Sequence, residues 1–533
     1  MGYCSLAYKA SKVSLLLPQC SSSSSSSSSS SHSSRMEKPT KGVKGKRSTP
    51  FDKGVVNSKK NWLKKKNVKN LSLDLNSHVP VMQTPVKVVY PSDNSEMVTE
   101  PPLKQLENLT SSTTPIEIYV PKQTEFIDLS RSFVELDLGF KSTGNANLTS
   151  RADAVALMLA PVNNIAHSLF KQINVKLNGT LITEQVDMYH LKAYIQTLLN
   201  FDRADGETIL ATAGWRNEID SPETYTANGV KSDHNDFRAL SANHQASIEA
   251  QKADARDYYA RGKRRVLRMT PFVDIFHQGK WLAPRTEVDL KFYLNPVALY
   301  FNAEANPGDE EVRQHVDDIK LTFYICLVSL NPSVYDNAMS IITKTPAKYP
   351  IIRTEMRQFP LDNAATYKEI INPFNGKIPQ RIGLGILATA GFNGQYDEDP
   401  FAFGKFGVEW VKQIWNGEEY PYESMELNTD NGNKDMTGYH RFLEATGCLY
   451  RKGGNMVRFA EWGHGKNCTL FAWSNVANGR HDDPILLPKE AGFINIQLKC
   501  AAQTANRTIV IYSEYESMLE IDGFKGGVSM DVN

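Results

Sequence analysis

Cysteine is scarce: six in 533 residues, at Cys4, Cys20, Cys326, Cys448, Cys468 and Cys500, with no C-x-x-C pair among them. Such spacing supplies neither a zinc site nor a disulfide framework, so reduced thiols and a reducing compartment are expected. Long apolar runs are missing too, and no stretch approaches the roughly 20 residues that cross a bilayer. The apolar run from Val13 to Leu17, interrupted by Ser14, is too short for a secretory signal. A soluble chain with no membrane-spanning segment follows as the expectation. The sequons at Asn108, Asn147, Asn178, Asn467 and Asn506 are then expected to stay unmodified. A myristoylation start is excluded by Leu6, which stands where Ser or Thr is needed.

Catalytic signatures are absent as well. None of the eleven histidines has an H-x-H neighbour, which removes the usual metal cluster of cupin enzymes. Every Gly-Lys pair is followed by something other than Ser or Thr, so there is no phosphate-binding P-loop, and no G-x-S-x-G elbow occurs. The run GLGILATAG, with Gly383, Gly385 and Gly391, lacks dinucleotide spacing and reads as a strand in close backbone contact. His190 and His440, each preceded by a tyrosine, read as core or capping groups, and His464 between Gly463 and Gly465 as an exposed loop residue. The pairs Asp317-Asp318, Glu418-Glu419 and Asp482-Asp483 read as solvated turns. Neither enzymatic activity nor a cofactor or metal is expected.

What is present is enough apolar material for more than one core. The chain is 41% hydrophobic and 10% aromatic, and its length exceeds what one core usually sustains, so two domains plus a tail are expected. Its 60 basic and 59 acidic residues balance only overall. Residues 1–70 hold 15 basic and 2 acidic side chains, a net +13, which leaves −12 for the rest of a chain whose total is +1. Within this stretch, residues 21–31 are eleven consecutive serines with nothing to bury, and residues 1–34 are expected to be a disordered Ser-rich extension. Residues 35–114 are expected to be a disordered basic and polar arm. Its charge is concentrated at Lys44, Lys46, Arg47, Lys59, Lys60, Lys64, Lys65 and Lys66. Lys/Arg clusters of this density bind nucleic acid by releasing condensed counterions. A nuclear import signal around Lys59-Lys60 and Lys64 to Lys66 is an equally weighted and compatible reading.

From about residue 115 the apolar period becomes two. Val134, Leu136, Leu138 and Phe140 alternate with polar residues or glycine, and the same pattern returns at Ile173 to Leu177, Val288 to Leu294, Ile319 to Ile325 and Ile494 to Leu498. Each is a strand with one buried face. Asn178-Gly179 between two such runs predicts a type I′ hairpin, because both central residues need positive φ. A helix with Met188, Leu191, Tyr194, Ile195, Leu198 and Leu199 on one face follows, with Asp187 available to cap it. The order strand, Asn-Gly turn, strand, helix recurs about 240 residues later at Asn416-Gly417, and Tyr439-His440 matches Tyr189-His190. An all-β domain duplicated in one chain is the economical explanation. Many short strands with helices confined to loops suit two tandem jelly rolls, at 115–332 and 333–533, joined near Pro332 to Pro346. Residues from about 202 to 265 lack strand periodicity and read as a long surface insertion on the first domain.

Read in order, 161–183, 189–201 and 269–294 (PVNNIAHSLFKQINVKLNGTLIT, YHLKAYIQTLLNF, MTPFVDIFHQGKWLAPRTEVDLKFYL) resemble the major capsid protein of Polintons (Mavericks) and the related adintovirus and virophage-like lineage. In the second half the carrying segments are AKYPIIRTEMRQF, NGKIPQRIGLGILATAGFNG, DPFAFGKFGVEWV and IVIYSEYESMLEIDGF. The resemblance spans about 115 to 525 and leaves out the arm and the 202–265 segment. It implies a double jelly roll whose homotrimer is a pseudo-hexagonal capsomer. It further implies an icosahedral capsid lattice with a single jelly-roll penton protein at the vertices, a packaging ATPase and a protease encoded elsewhere, and a virion location. Double-stranded DNA bound through the arm, with assembly in the host nucleus, completes this expectation. Two alternatives stand beside it: a domesticated relic that does not assemble, and a carbohydrate-binding attachment protein using Trp410, Trp415, Trp462 and Trp473. The odd spacing of Trp410 and Trp415 would put them on opposite faces of one strand.

Overall fold

The computed structural model describes residues 82–88, 115–142, 147–148, 160–217, 254–302, 314–422, 424–427, 435–449, 454–459, 462, 468–476 and 492–530. In the first half the strands are β1 (Met82–Val88), β2 (Ile116–Val120), β3 (Phe126–Ser142), β4 (Ala160–Pro161), β5 (Phe170–Leu177), β6 (Thr180–Leu181), β7 (Arg265–Met269), β8 (Val288–Leu294), β9 (Phe301–Asn302) and β10 (Gln314–Ser329). The second half holds β11 (Ala347–Leu361), β12 (Tyr367–Ile370), β13 (Arg381–Ala388), β14 (Val408–Trp415), β15 (Glu418–Glu419), β16 (Met425–Glu426), β17 (Leu470–Ser474), β18 (Ile494–Cys500), β19 (Arg507–Ile521) and β20 (Val528–Met530). Three helices matter below: α1 (Tyr189–Asn200), α2 (Pro332–Ile342) and α3 (Asp435–Ala445).

The turns form as their residues dictate. Asn178 and Gly179 take φ of 47° and 81°, and Asn416 and Gly417 take 50° and 94°. Positive φ at both central positions matches the right-handed twist of the flanking strands, so each dipeptide closes a tight hairpin, β5 to β6 and β14 to β15. Pro332 at the start of α2, with Asn331 Oδ1 accepting the Ser333 amide at 3.2 Å, begins the helix that links the halves.

Pairing then reveals one order used twice. In the first half one sheet runs β1-β10-β3-β7 and the other β2-β8-β5-β6; in the second they run β11-β19-β13-β17 and β12-β18-β14-β15. β16 and β20 add to β14 and β19, and β4 pairs with β9. Setting aside the short β4, β9, β16 and β20, each half places its first, eighth, third and sixth strands in one sheet and its second, seventh, fourth and fifth in the other. All pairs in these four sheets are antiparallel. That is the two-sheet, double Greek-key arrangement of a jelly roll, and the chain is an all-β protein of two in tandem. Residues Pro80–Asn533 group as one unit that contains both.

Several expectations need correction. β1 belongs to the 35–114 segment expected to be flexible, yet its backbone pairs with β10 from Met82↔Ser329 to Val88↔Phe323. Asp187 does not cap α1; Met188 holds that position without a side-chain bond, and Asp187 lies 3.2 Å from Lys171 Nζ. The 202–265 segment is not wholly a surface insertion. Trp215 is buried against Tyr194 with ring centroids 5.1 Å apart, Tyr259 packs edge-on against Phe140 at 4.9 Å, and Arg265 opens β7. These aromatics are spaced too irregularly in sequence for any period to reveal them. Glu418 and Glu419 form β15, with Lys412 Nζ 3.6 Å from Glu419, and Asp317 lies in β10, so neither pair is a simple turn. His440 is exposed on α3 and belongs to no core.

Candidate functional site

Helix α1 belongs to the first jelly roll but is seated on the second. Its seat is the face of β13 and β19 that points away from the second roll's own core. On the core side lie Ile382, Leu384, Ile386, Ile509 and Ile511, all fully buried. On the other side Arg381 pairs with Glu514 and Gly383 with Tyr512. Here α1 docks: Asn200 Oδ1 accepts from Arg381 Nη2 at 2.8 Å, and Gln196 Nε2 donates to the Tyr512 hydroxyl at 3.1 Å. Leu199 packs over Gly383, where a Cβ would lie 3.5 Å from Leu199 Cδ1, an ordinary contact distance. Tyr194 of α1 stacks on Phe401 at 4.3 Å and 8°. The whole of β13 is therefore buried, on both faces.

Arg381 and Glu514 carry the seam's only fully buried charges among the described residues' ion pairs. Arg381 Nε donates to Glu514 Oε2 at 2.9 Å, a second guanidinium bond reaches Oε1, and the Tyr512 hydroxyl donates to the same carboxylate. Burial opposes the charge on Arg381, but Glu514 more than offsets this and holds the guanidinium above its ordinary range. A desolvated, bidentate pair of this kind fixes geometry more than it adds net stability.

The seam continues beyond α1. Asp274 accepts from the Thr354 amide at 3.1 Å, from the Thr354 hydroxyl at 2.6 Å and from Lys192 Nζ at 2.9 Å. Glu184 accepts from the Met356 amide at 3.3 Å, and burial, with Glu355 nearby, pushes its carboxyl up. Asn178 Nδ2 donates to the Gly526 carbonyl at 2.9 Å while its Oδ1 takes the Glu287 amide, so this sequon nitrogen already has a structural partner. Glu184, Lys192, Asp274, Thr354 and Met356 border a cavity of about 40 Å³, which suits water rather than a substrate-sized ligand.

Three histidines of the first roll lie in or beside this seam, His167 and His190 buried and His277 half-buried. His167 Nδ1 lies 2.9 Å from the Tyr189 hydroxyl, His277 stacks on Phe272 at 5.4 Å, and His190 faces the Phe401 ring at 6.2 Å. Loss of hydration lowers His167 to about 3 and His190 to about 4, and drives His277 well below its ordinary value. All three are neutral at pH 7.

Of the residues singled out in sequence, Lys44, Lys46, Arg47, Lys59, Lys60, Lys64, Lys65 and Lys66 lie outside the described residues, as do His464, Asp482, Asp483, Asn108 and Asn467. Gly385 behaves as a close-contact glycine, for a Cβ would fall 2.3 Å from Phe403 Cδ1. The four tryptophans form no platform. Trp462 and Trp473 are buried, Trp415 packs against the core, and Trp410 faces the opposite side under Lys412. Cys326, Cys448, Cys468 and Cys500 are free thiols. Among the described residues no cluster of three or more His, Cys, Asp or Glu could hold a metal, and no helix is long and apolar enough to cross a membrane. Arg381, Tyr512, Glu514, Gln196 and Asn200 were missed in sequence. Their one local signal is a charged residue at the edge of an otherwise apolar strand, as in RIGLGILA.

No protein-family model matches the chain. An uncharacterized protein of Caenorhabditis elegans is 21% identical over 423 residues, covering 78% of this chain and 93% of that protein. Among solved structures this chain is similar to the mavirus major capsid protein, with a TM-score of 0.48 and 10% identity over 93% of this chain and 97% of the other. The Sputnik virophage structure gives 0.49 and 12% over 87% and 93%, and the PBCV-1 virus capsid gives 0.47 and 11% over 79% and 93%. At these values the jelly-roll assignment rests on the strand order itself.

Proposed function

We propose that this chain is a structural major capsid protein. In this reading it trimerises into pseudo-hexagonal capsomers that tile an icosahedral shell around double-stranded DNA, in a virus or virus-like transposon of the Polinton (Maverick) kind. The observation that carries it is one eight-strand order used twice in a chain whose halves are locked by a buried seam. A rigid pair of like folds, taken three times, makes a six-part block, and closed cyclic contacts end growth at three copies. The virion is its place, a single jelly-roll penton protein its partner at the vertices, and the host nucleus the site of assembly. The sugar-binding alternative loses its platform with Trp462 and Trp473 buried. Native mass spectrometry and electron microscopy of the expressed chain test the proposal: trimers with a six-lobed outline are expected. A monodisperse monomer at micromolar concentration and every salt strength overturns it and favours the non-assembling relic.

The arm's role is supported by its composition alone, 13 basic residues between Arg35 and Lys69. Non-specific binding to duplex DNA is expected to weaken by about 0.9 decades per decade of salt for each phosphate neutralised. A chain shortened to begin near residue 115 would also lose β1, so the cleaner variant replaces Lys44, Lys46, Arg47, Lys59, Lys60, Lys64, Lys65 and Lys66 by Gln. Undiminished DNA binding by that variant sinks the assignment and leaves the arm an import role.

A further inference from the structure

Each jelly roll carries a trio of Arg, Glu and Tyr on the outward side of corresponding sheets, although the arginine and glutamate stand on different strands in the two rolls. In the second roll it is Arg381, Glu514 and Tyr512, beneath α1. In the first it is Arg268 on β7, Glu135 on β3 and Tyr324 on β10. Arg268 Nη2 lies 2.9 Å from Glu135 Oε2, and the Tyr324 hydroxyl donates to Glu135 Oε1 at 3.3 Å. Glu135 alternates with the buried Val134 and Leu136, so the trio points away from its own core. Where the second roll has Gly383 opposite Tyr512, the first has Phe133 opposite Tyr324, stacked at 4.8 Å with the Arg268 guanidinium 5.2 Å from the Phe133 ring. The first roll thus builds its own aromatic surface where the second has a glycine under Leu199.

Coverage separates the two. Arg381 and Glu514 are fully buried, whereas the Arg268 side chain is 57% exposed and neighbouring Val266 59%. No described helix of this chain covers the side chains of the first trio as α1 covers the second; the short helical turn Leu210–Ala213 reaches β7 only through its backbone, the Thr212 hydroxyl donating to the Arg268 carbonyl at 3.1 Å. The helix matching α1 in chain order is α3, since each follows the fifth strand of its roll and precedes the sixth. His190 of α1 is buried against Phe401, but His440 of α3 is exposed and Met436 is 56% exposed.

We propose that the open face of β10, β3 and β7 is the seat for α3 of a second copy of this chain, repeating between chains the contact that α1 makes within one. The inference rests on the capsid reading and deepens it. A closed ring of six rolls from three chains needs six roll-to-roll contacts; three are the internal seams, and the remaining three must join the second roll of one chain to the first roll of the next. A surface with the residue types of the internal seat, carrying an exposed valine on its edge strand and an aromatic pair on β3 and β10, meets a helix with an exposed methionine, the apolar contact such interfaces use.

The test uses the full-length chain with photoactivatable benzoylphenylalanine in place of Val266, produced as mixed isotopically light and heavy protein. Irradiation, digestion and mass spectrometry are expected to give light–heavy cross-links from position 266 to a peptide within 435–449. Met436→Glu, a change at an exposed site, is expected to weaken the trimer by at least about tenfold while leaving the monomer's melting temperature unchanged. A trimer in which position 266 cross-links elsewhere, only within one chain, or not at all overturns this inference and leaves the capsid reading standing. A chain that is monomeric at every concentration overturns both.

Discussion

β3 and β13 hold the same place in the two jelly rolls, yet one alternates and the other does not. From Ser132 to Leu138, β3 switches between buried and partly exposed residues, while β13 is buried at all eight positions. The folds are alike; the number of covered faces differs. Period-two alternation therefore reports solvent on one side of a sheet, and a continuous buried run reports a neighbour on both. At Arg381 and Gly383 the neighbour of β13 is a helix supplied by the other half of the chain, and at Gly385 it is Phe403 of the same half.

The sharpest way to test this contrast is to break the same trio on each face. Glu514→Ala strands a buried guanidinium and should cost about 3–5 kcal/mol. Glu135→Ala removes a pair whose arginine is already largely solvated and should cost roughly 0–1 kcal/mol in the monomer. Urea unfolding of the two variants measures both; equal losses would mean that the covering helix does not set the difference.

Acid should act on the first roll. His167, His190 and His277 are held neutral in the fold and have ordinary affinity for protons once unfolded. Folded values below unfolded ones mean that stability is fully present above about pH 6.5 and is lost as pH falls toward the folded values. The loss approaches about 1.4 kcal/mol per pH unit for each histidine. Urea midpoints between pH 8 and 5 should therefore be flat and then drop. Replacing His190 by Gln should reduce that slope by one histidine's share.

Glycines give the smallest contrast. Gly385→Ala drives a methyl group into Phe403 on the covered face and should cost about 1–3 kcal/mol. Gly179→Ala meets nothing within 4 Å and suffers only from its φ of 81°, worth about 1 kcal/mol. Thermal unfolding ranks the pair, and the reverse order would show that Phe403 yields easily.

Much of this architecture was legible in the residues. Alternation from Val134 to Phe140 gave β3 its core face, and the helical face from Met188 to Leu199 gave α1, because each pattern answers to a single nearby surface. The same helix illustrates the limit. Gln196 and Asn200 read as ordinary polar positions, and nothing local says that they meet Tyr512 and Arg381. Trp215 and Tyr259 sit in a polar segment that reads as a surface insertion, and only their partners Tyr194 and Phe140 place them in the core.

By itself the sequence determined the strands, the two Asn-Gly hairpins and the doubling of one order, because these depend on backbone φ and on a period of two over a few neighbouring residues. Tertiary structure alone decided which sheet faces were covered and which polar groups became the seam. Asn200 meets Arg381 across 181 residues and Gln196 meets Tyr512 across 316. Over such separations no local pattern constrains a pair; burial does, since a charge or amide removed from water must find its partner wherever the fold brings one.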